Sequence, residues 1–200
     1  MLIAGNAPIR DRYKGRYIRP ADVPASVTLD IIQSFYEQRS MWSQIDEESK
    51  LFIGSIHAVA LTMPDQKPAI LVQRGPVAFD RASGINQRRD RDMKVGSTVY
   101  TDTIRTSVAI NCMDGQPWVC DDIGSDMFEL FGMLRHEHKH YGFFKMDSPV
   151  LSELRKQKDS TRPQHWLTVV SFAISMQLTW KVEQEASELK SLVINLEDIN

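Results

Sequence analysis

Residues 165–183, HWLTVVSFAISMQLTWKVE, alternate more strictly than any other part of the chain. Trp166, Val170, Phe172, Ile174, Met176, Leu178, Trp180 and Val182 all fall on one parity. Successive side chains of a strand point to opposite faces, so the pattern predicts one long strand with a buried side. At ~3.3 Å per residue, a straight strand over 166–182 spans about 55 Å. That is roughly two to three times the usual length. Such a strand must either bend at a bulge or run past its own domain and pair with something else.

Other segments supply the rest of a domain. Val27, Ile31, Phe35 and Trp42 keep helical spacing behind Ser26, a candidate N-cap, which predicts a helix over about 26–45. Acidic residues followed by Leu51, Phe52, Ile56, Val59 and Ala60 predict a second helix ended by Pro64. From Pro68 the period changes. PAILVQRGPVAF reads as a strand interrupted at Gly75-Pro76, and STVYTDTIRTSVAINC, 97–112, as another with Tyr100, Ile104, Val108, Ile110 and Cys112 on one face. Between them, 80–96 is a polar loop of mixed charge. Ile123, Met127, Leu130, Phe131 and Leu134 predict an amphipathic helix over about 118–140, stopped by Gly142. A short strand and a charged excursion follow over 143–158, and LKSLVINLEDIN suits a last short strand. The expected class is α+β: a mostly antiparallel sheet packed by two or three helices, with an extended N-terminal arm and a long C-terminal strand or hairpin. Residues 1–25 form the arm, punctuated by Pro8, Pro20 and Pro24, and 26–200 a single ring-forming α/β domain.

The 200 residues are 42% hydrophobic with a net charge of −2, which suits one domain with a real core and argues against a dedicated DNA-coating protein. That charge is unevenly spread. Arg10, Arg12, Lys14, Arg16 and Arg19 face only Asp11 in the first twenty residues, while acids dominate the C-terminal tail. Cys112 and Cys120 are too few for a disulfide framework or a four-ligand zinc site and read as reduced, packed thiols. No segment reaches membrane-span length, so no membrane partner is expected.

His136, Glu137 and His140 match H-E-x-x-H, a pattern that on a helix can hold zinc between two histidines with the glutamate as base. On the predicted helix, however, His136 falls about 200° and His140 about 240° from Leu134, nearly opposite the apolar stripe. The ligands would face water, with Lys139 inside the motif and no third ligand at an established spacing. Cations at a helix C-terminus are the better reading. Nucleophile-elbow and phosphate-loop motifs are absent, and Cys112 or Cys120 with His57 has no supporting spacing. No catalytic residue, cofactor or metal is expected; a zinc hydrolase built on 136–140 is the alternative from another class.

The order of elements is a helix (SVTLDIIQSFYEQ), a strand (PAILVQRG), a polar loop, a Thr/Val strand, an amphipathic helix (DDIGSDMFELFGMLRHE) and a long Trp-bearing strand. It resembles the neck and tail-terminator ring proteins of tailed bacteriophages. The resemblance covers about 26–183 and is one of element order and texture. It implies a non-catalytic virion protein, assembled in the host cytoplasm, that closes into a homo-oligomeric ring of six or twelve copies. Neighbouring head–tail connector and tail-tube proteins are the implied partners, with non-specific contact to DNA passing the lumen. A head–tail adaptor or stopper of the same connector is the variant reading. An overlong strand, long loops and a basic, aromatic arm are features with which subunits reach neighbours. The expected interface residues are therefore Arg10, Tyr13, Arg16, Tyr17, Arg88, Arg89, Trp166 and Trp180.

Overall fold

A computed structural model describes residues 22–43, 48–56, 67–79, 88–92, 97–137, 139, 143–157 and 165–183, with the backbone alone at 88–92, 97–102, 157 and 177–183. The chain runs α1 (Val23–Gln38), β1 (Phe52–Ser55), β2 (Ala69–Phe79), β3 (Arg88–Asp92), β4 (Ser97–Asp114), α2 (Pro117–Leu134), β5 (Lys145–Met146), β6 (Val150–Leu151), β7 (Arg155–Gln157) and β8 (His165–Glu183). Residues 1–21 of the expected arm, the 184–200 tail and the last-strand expectation lie outside the described residues, whereas 23–25, expected in the arm, belong to α1.

The long strand is present, without a bulge against β4. β8 pairs antiparallel with β4 from Asp114↔Trp166 to Ser97↔Glu183 without a register shift. The sequence reading weighed a bulge against a partner outside the domain. Neither is needed on this edge, because β4 is equally long. On its other side β4 pairs with β2 over Ile104–Met113 and with β3 over Ser97–Thr101. The short strands β5, β6 and β7 line the outer edge of β8. These eight strands form one sheet, antiparallel except that β1 joins β2 in parallel.

Both helices share one hydrophobic core on one face of this sheet. Ile104, Val108, Ile110 and Cys112 of β4 and Val170, Phe172, Ile174 and Met176 of β8 enter it, as their shared parity requires. α1 lies over β1, β2 and the adjoining part of β4, and α2 over β4, β8 and β6. Phe131 of α2 stacks on Phe172 at 4.8 Å between ring centroids. The opposite face carries small residues, Ser107 and Ala109 beside Ala173 and Ser171. There Arg105 reaches across β8 to the Asp147 carboxylate at 2.7 Å.

Several expected boundaries move. α1 begins at Val23 instead of Ser26, with Asp22 at the N-cap and Pro24 in the first turn, where its missing N–H costs nothing. It ends at Gln38, short of Trp42. The second helix is replaced, over Phe52–Ser55, by a strand: Ile53 is β-branched, Gly54 is a poor helix former, and β2 offers a parallel partner. Its remainder, 57–63, lies outside the described residues. Gly75-Pro76 does interrupt β2, as a register shift between Arg74 and Val77. A Cβ at Gly75 would lie 2.0 Å from the Ser107 Oγ, so the bulge brings backbone against β4. α2 ends at Leu134, with Arg135 as C-cap.

α2 is seated by a close approach. A Cβ at Gly124 would meet the Thr168 methyl at 2.3 Å, and Thr168 is wholly buried. Gly→Ala inside a helix ordinarily gains about 1 kcal/mol. Here a stiff β-branched neighbour cannot swing away, and overpacking costs about 1–3 kcal/mol. Gly124→Ala is therefore expected to lower the unfolding free energy in urea by about 1 kcal/mol. Thr168→Ser in the same chain removes the clashing methyl and should restore most of the loss. A more stable Gly124→Ala single variant would refute the contact.

Candidate subunit interface

The edges of the sheet define this surface. Phe144 N donates to Ser175 O, Asp147 N to Ala173 O and Ser152 N to Val169 O. Odd positions of β8 therefore turn their peptide groups outward, towards β5–β7, and even positions turn theirs towards β4. The pairing with β5 ends at Ser175. Beyond it, from Met176 to Glu183, the outer edge of β8 has no partner strand among the described residues. Because the β4 register is unbroken, Gln177, Thr179, Lys181 and Glu183 continue the outward series.

This open segment belongs to a three-stranded ribbon. Arg89 of β3, Tyr100 of β4 and Trp180 of β8 stand in one row, and Arg88, Thr101 and Thr179 in the next. Three expected interface residues, Arg88, Arg89 and Trp180, are thus brought together at the open end. Trp166 is not. It sits fourteen positions away in sequence, at the closed end, where Asp114 pairs with one edge and Lys156 with the other. The Lys156 ammonium lies 5.9 Å from the indole centroid, so this tryptophan is engaged within its own chain. Arg10, Tyr13, Arg16 and Tyr17 lie outside the described residues.

Helical cover does not match strand length. α2 has 18 residues and is about 27 Å long. β8 has 19 and spans about 60 Å. α2 starts at the closed end, where Cys120 Sγ donates to Cys112 O at 3.1 Å. One helix laid from there cannot roof the whole ribbon.

The surface of α2 is a feature the sequence reading missed. Trp118 is 66% exposed, Met133 65% and Phe128 40%. Residues 117–134 contain Asp121, Asp122, Asp126 and Glu129 and neither lysine nor arginine. Asp126 is held by Arg39 of α1 at 2.8 Å, and that guanidinium also covers the Phe35 ring at 4.0 Å. Beneath this bridge the Tyr36 hydroxyl is buried near Asp126 but outside hydrogen-bond geometry. Burial first, and the Asp126 charge second, push its phenol well above the ordinary value.

The H-E-x-x-H segment is not helical throughout, as the sequence reading assumed. His136 N bonds to Met133 O and Glu137 N to Leu134 O, three-residue closures that tighten and end α2. His136 and Glu137 are exposed in that turn; His138 and His140 lie outside the described residues, as does His57. Among the described residues no group of three His, Cys, Asp or Glu is placed to hold a metal ion. No helix among them is long and apolar enough to cross a membrane.

Both cysteines are buried and free. Burial, then the neighbouring Cys120, pushes Cys112 far above the ordinary thiol range. Burial pushes Cys120 up to about 11, partly offset by a backbone hydrogen bond at Thr168. The thiolate is the nucleophile, so both groups should resist a disulfide reagent at neutral pH until the protein is unfolded. Stability linked to Cys120 is complete below the ordinary value of 9.0 and is lost as pH rises through about 11, since the unfolded chain ionises first. Urea unfolding of a Cys120→Ala variant should show a flatter decline over that window. Rapid labelling of the folded protein at neutral pH would contradict this assignment.

The sequence matches neither a known family model nor a curated protein.

Proposed function

We propose that this protein is a structural, non-catalytic ring subunit of a tailed-phage neck, a tail-terminator-like component joining head and tail. One observation carries the reading: among the described residues, the outer edge of β8 has no partner strand from Met176 to Glu183, while β4, beside it, is paired along nearly its whole length on both sides. An open, regular edge invites another strand, and a closed ring satisfies it in every copy without leaving free ends. In this reading the ribbon end of each subunit continues the sheet into its neighbour, with six or twelve copies around a lumen that DNA crosses without being read. The narrowed role for the long strand is physical: one edge is satisfied within the chain, and half of the other is left for assembly.

Thr179 tests it. Proline there removes an outward N–H and leaves the ladder to β4 intact, since edge positions tolerate proline. Mass photometry should show the wild-type chain forming one closed species of defined size, alone or on a connector partner. Thr179→Pro should remain folded by circular dichroism and need at least about tenfold more protein to assemble. Wild-type protein that is monomeric at every concentration, or that stops at a dimer, would sink the ring.

A further inference from the structure

We infer that the outer surface of α2 is the seat of the basic N-terminal arm of an adjacent copy, an inference that rests on the ring reading above. Three observations converge on it. The first is charge. α2 carries acids and no lysine or arginine, while the first twenty residues are basic apart from Asp11. Opposite patches of this kind steer and register an encounter.

The second is side-chain type. Trp118, Phe128 and Met133 stand exposed among Asp121, Asp122 and Glu129, and the first of these is the largest apolar side chain that α2 leaves in solvent. The arm presents arginine and tyrosine at spacings of three and four: Arg10, Tyr13, Arg16 and Tyr17. Guanidinium over indole, and phenol against a thioether, are favourable contacts for both partners. Residues of these types concentrate binding energy at interfaces.

The third is placement, which together with the ring reading points to the neighbour's arm. The arm enters the fold at α1, over β1 and β2, where Asp22 pairs with Arg74 of β2 at 3.3 Å. The acceptor α2 lies over β4, β8 and β6, beside α1. An arm that leaves a subunit at α1 and docks on α2 of the next copy joins two different surfaces, a head-to-tail contact of the kind that closes a ring. At about 3.3–3.6 Å per residue, an arm of this length has ample reach to cross a subunit boundary.

The test uses two charge-reversed full-length chains. One has an acidic arm (Arg10→Glu, Arg12→Glu, Arg16→Glu). The other has a basic helix surface (Asp121→Lys, Asp122→Lys, Glu129→Lys). Each alone should stay monomeric where wild type assembles, raising the assembly concentration by about tenfold or more. Mixed in equal amounts they should co-assemble, because each acidic arm then meets a basic helix and each basic arm an acidic one. Co-assembly also proves that both variants fold. If the mixture fails but one chain carrying all six changes assembles, the arm docks on its own subunit and the inference is overturned. If wild type assembles and each single-sign variant assembles equally well, the inference falls while the ring stands. If wild type never assembles, both fall.

Discussion

The β4–β8 ladder is the constraint from which the rest follows. Its register is continuous, so a slip of one residue would turn Val170, Phe172, Ile174 and Met176 away from the helices all at once. That penalty fixes the sheet's two faces. The short link from Asp114 to Pro117 then folds α2 straight back onto the ladder that it has just left. The contacts at its start, Cys120 on the Cys112 carbonyl and Gly124 against Thr168, set how closely helix and sheet approach. Strands β2 and β3 share one side of β4, and β5–β7 take the first half of the outer edge of β8. Among the described residues, the open segment is what remains.

How much of this was legible depended on how many residues carried each pattern. The strand at 165–183 and the helix behind Pro117 repeat their periods often enough to stand alone. Gly75-Pro76 announced the β2 bulge because that dipeptide cannot sustain a regular ladder. β1 was illegible: Leu51, Phe52 and Ile56 fit a helical stripe equally well, and only parallel pairing with β2 decides for a strand. β5–β7 are two or three residues each and have no period to read. The end of α2 was misplaced because apolar spacing says where a helix packs, not where carbonyl bonds tighten from four residues to three.

The interface was legible only in part. Tryptophans at both ends of one strand look equivalent in sequence, yet register puts Trp180 at the open end and Trp166 between two partners. The acidic, aromatic surface of α2 did leave a signal. The helix dipole accounts for acids in the first turns, such as Asp121 and Asp122, but not for Glu129 or for an exposed Trp118. A helix with no lysine or arginine, in a chain with a basic head, was the clue.

The open edge also bears on what kind of closure suits the subunit. A two-fold dimer joined through the open β8 edge would bring two copies of the same flank together. That pairing satisfies both edges at once and stops at two copies. Pairing of that edge with a different surface of the next copy instead gives successive copies a direction, and a directed contact repeated around an axis either closes or grows without limit. For a subunit whose β8 edge is open from Met176 to Glu183 among the described residues, closure is the outcome that leaves no edge to aggregate.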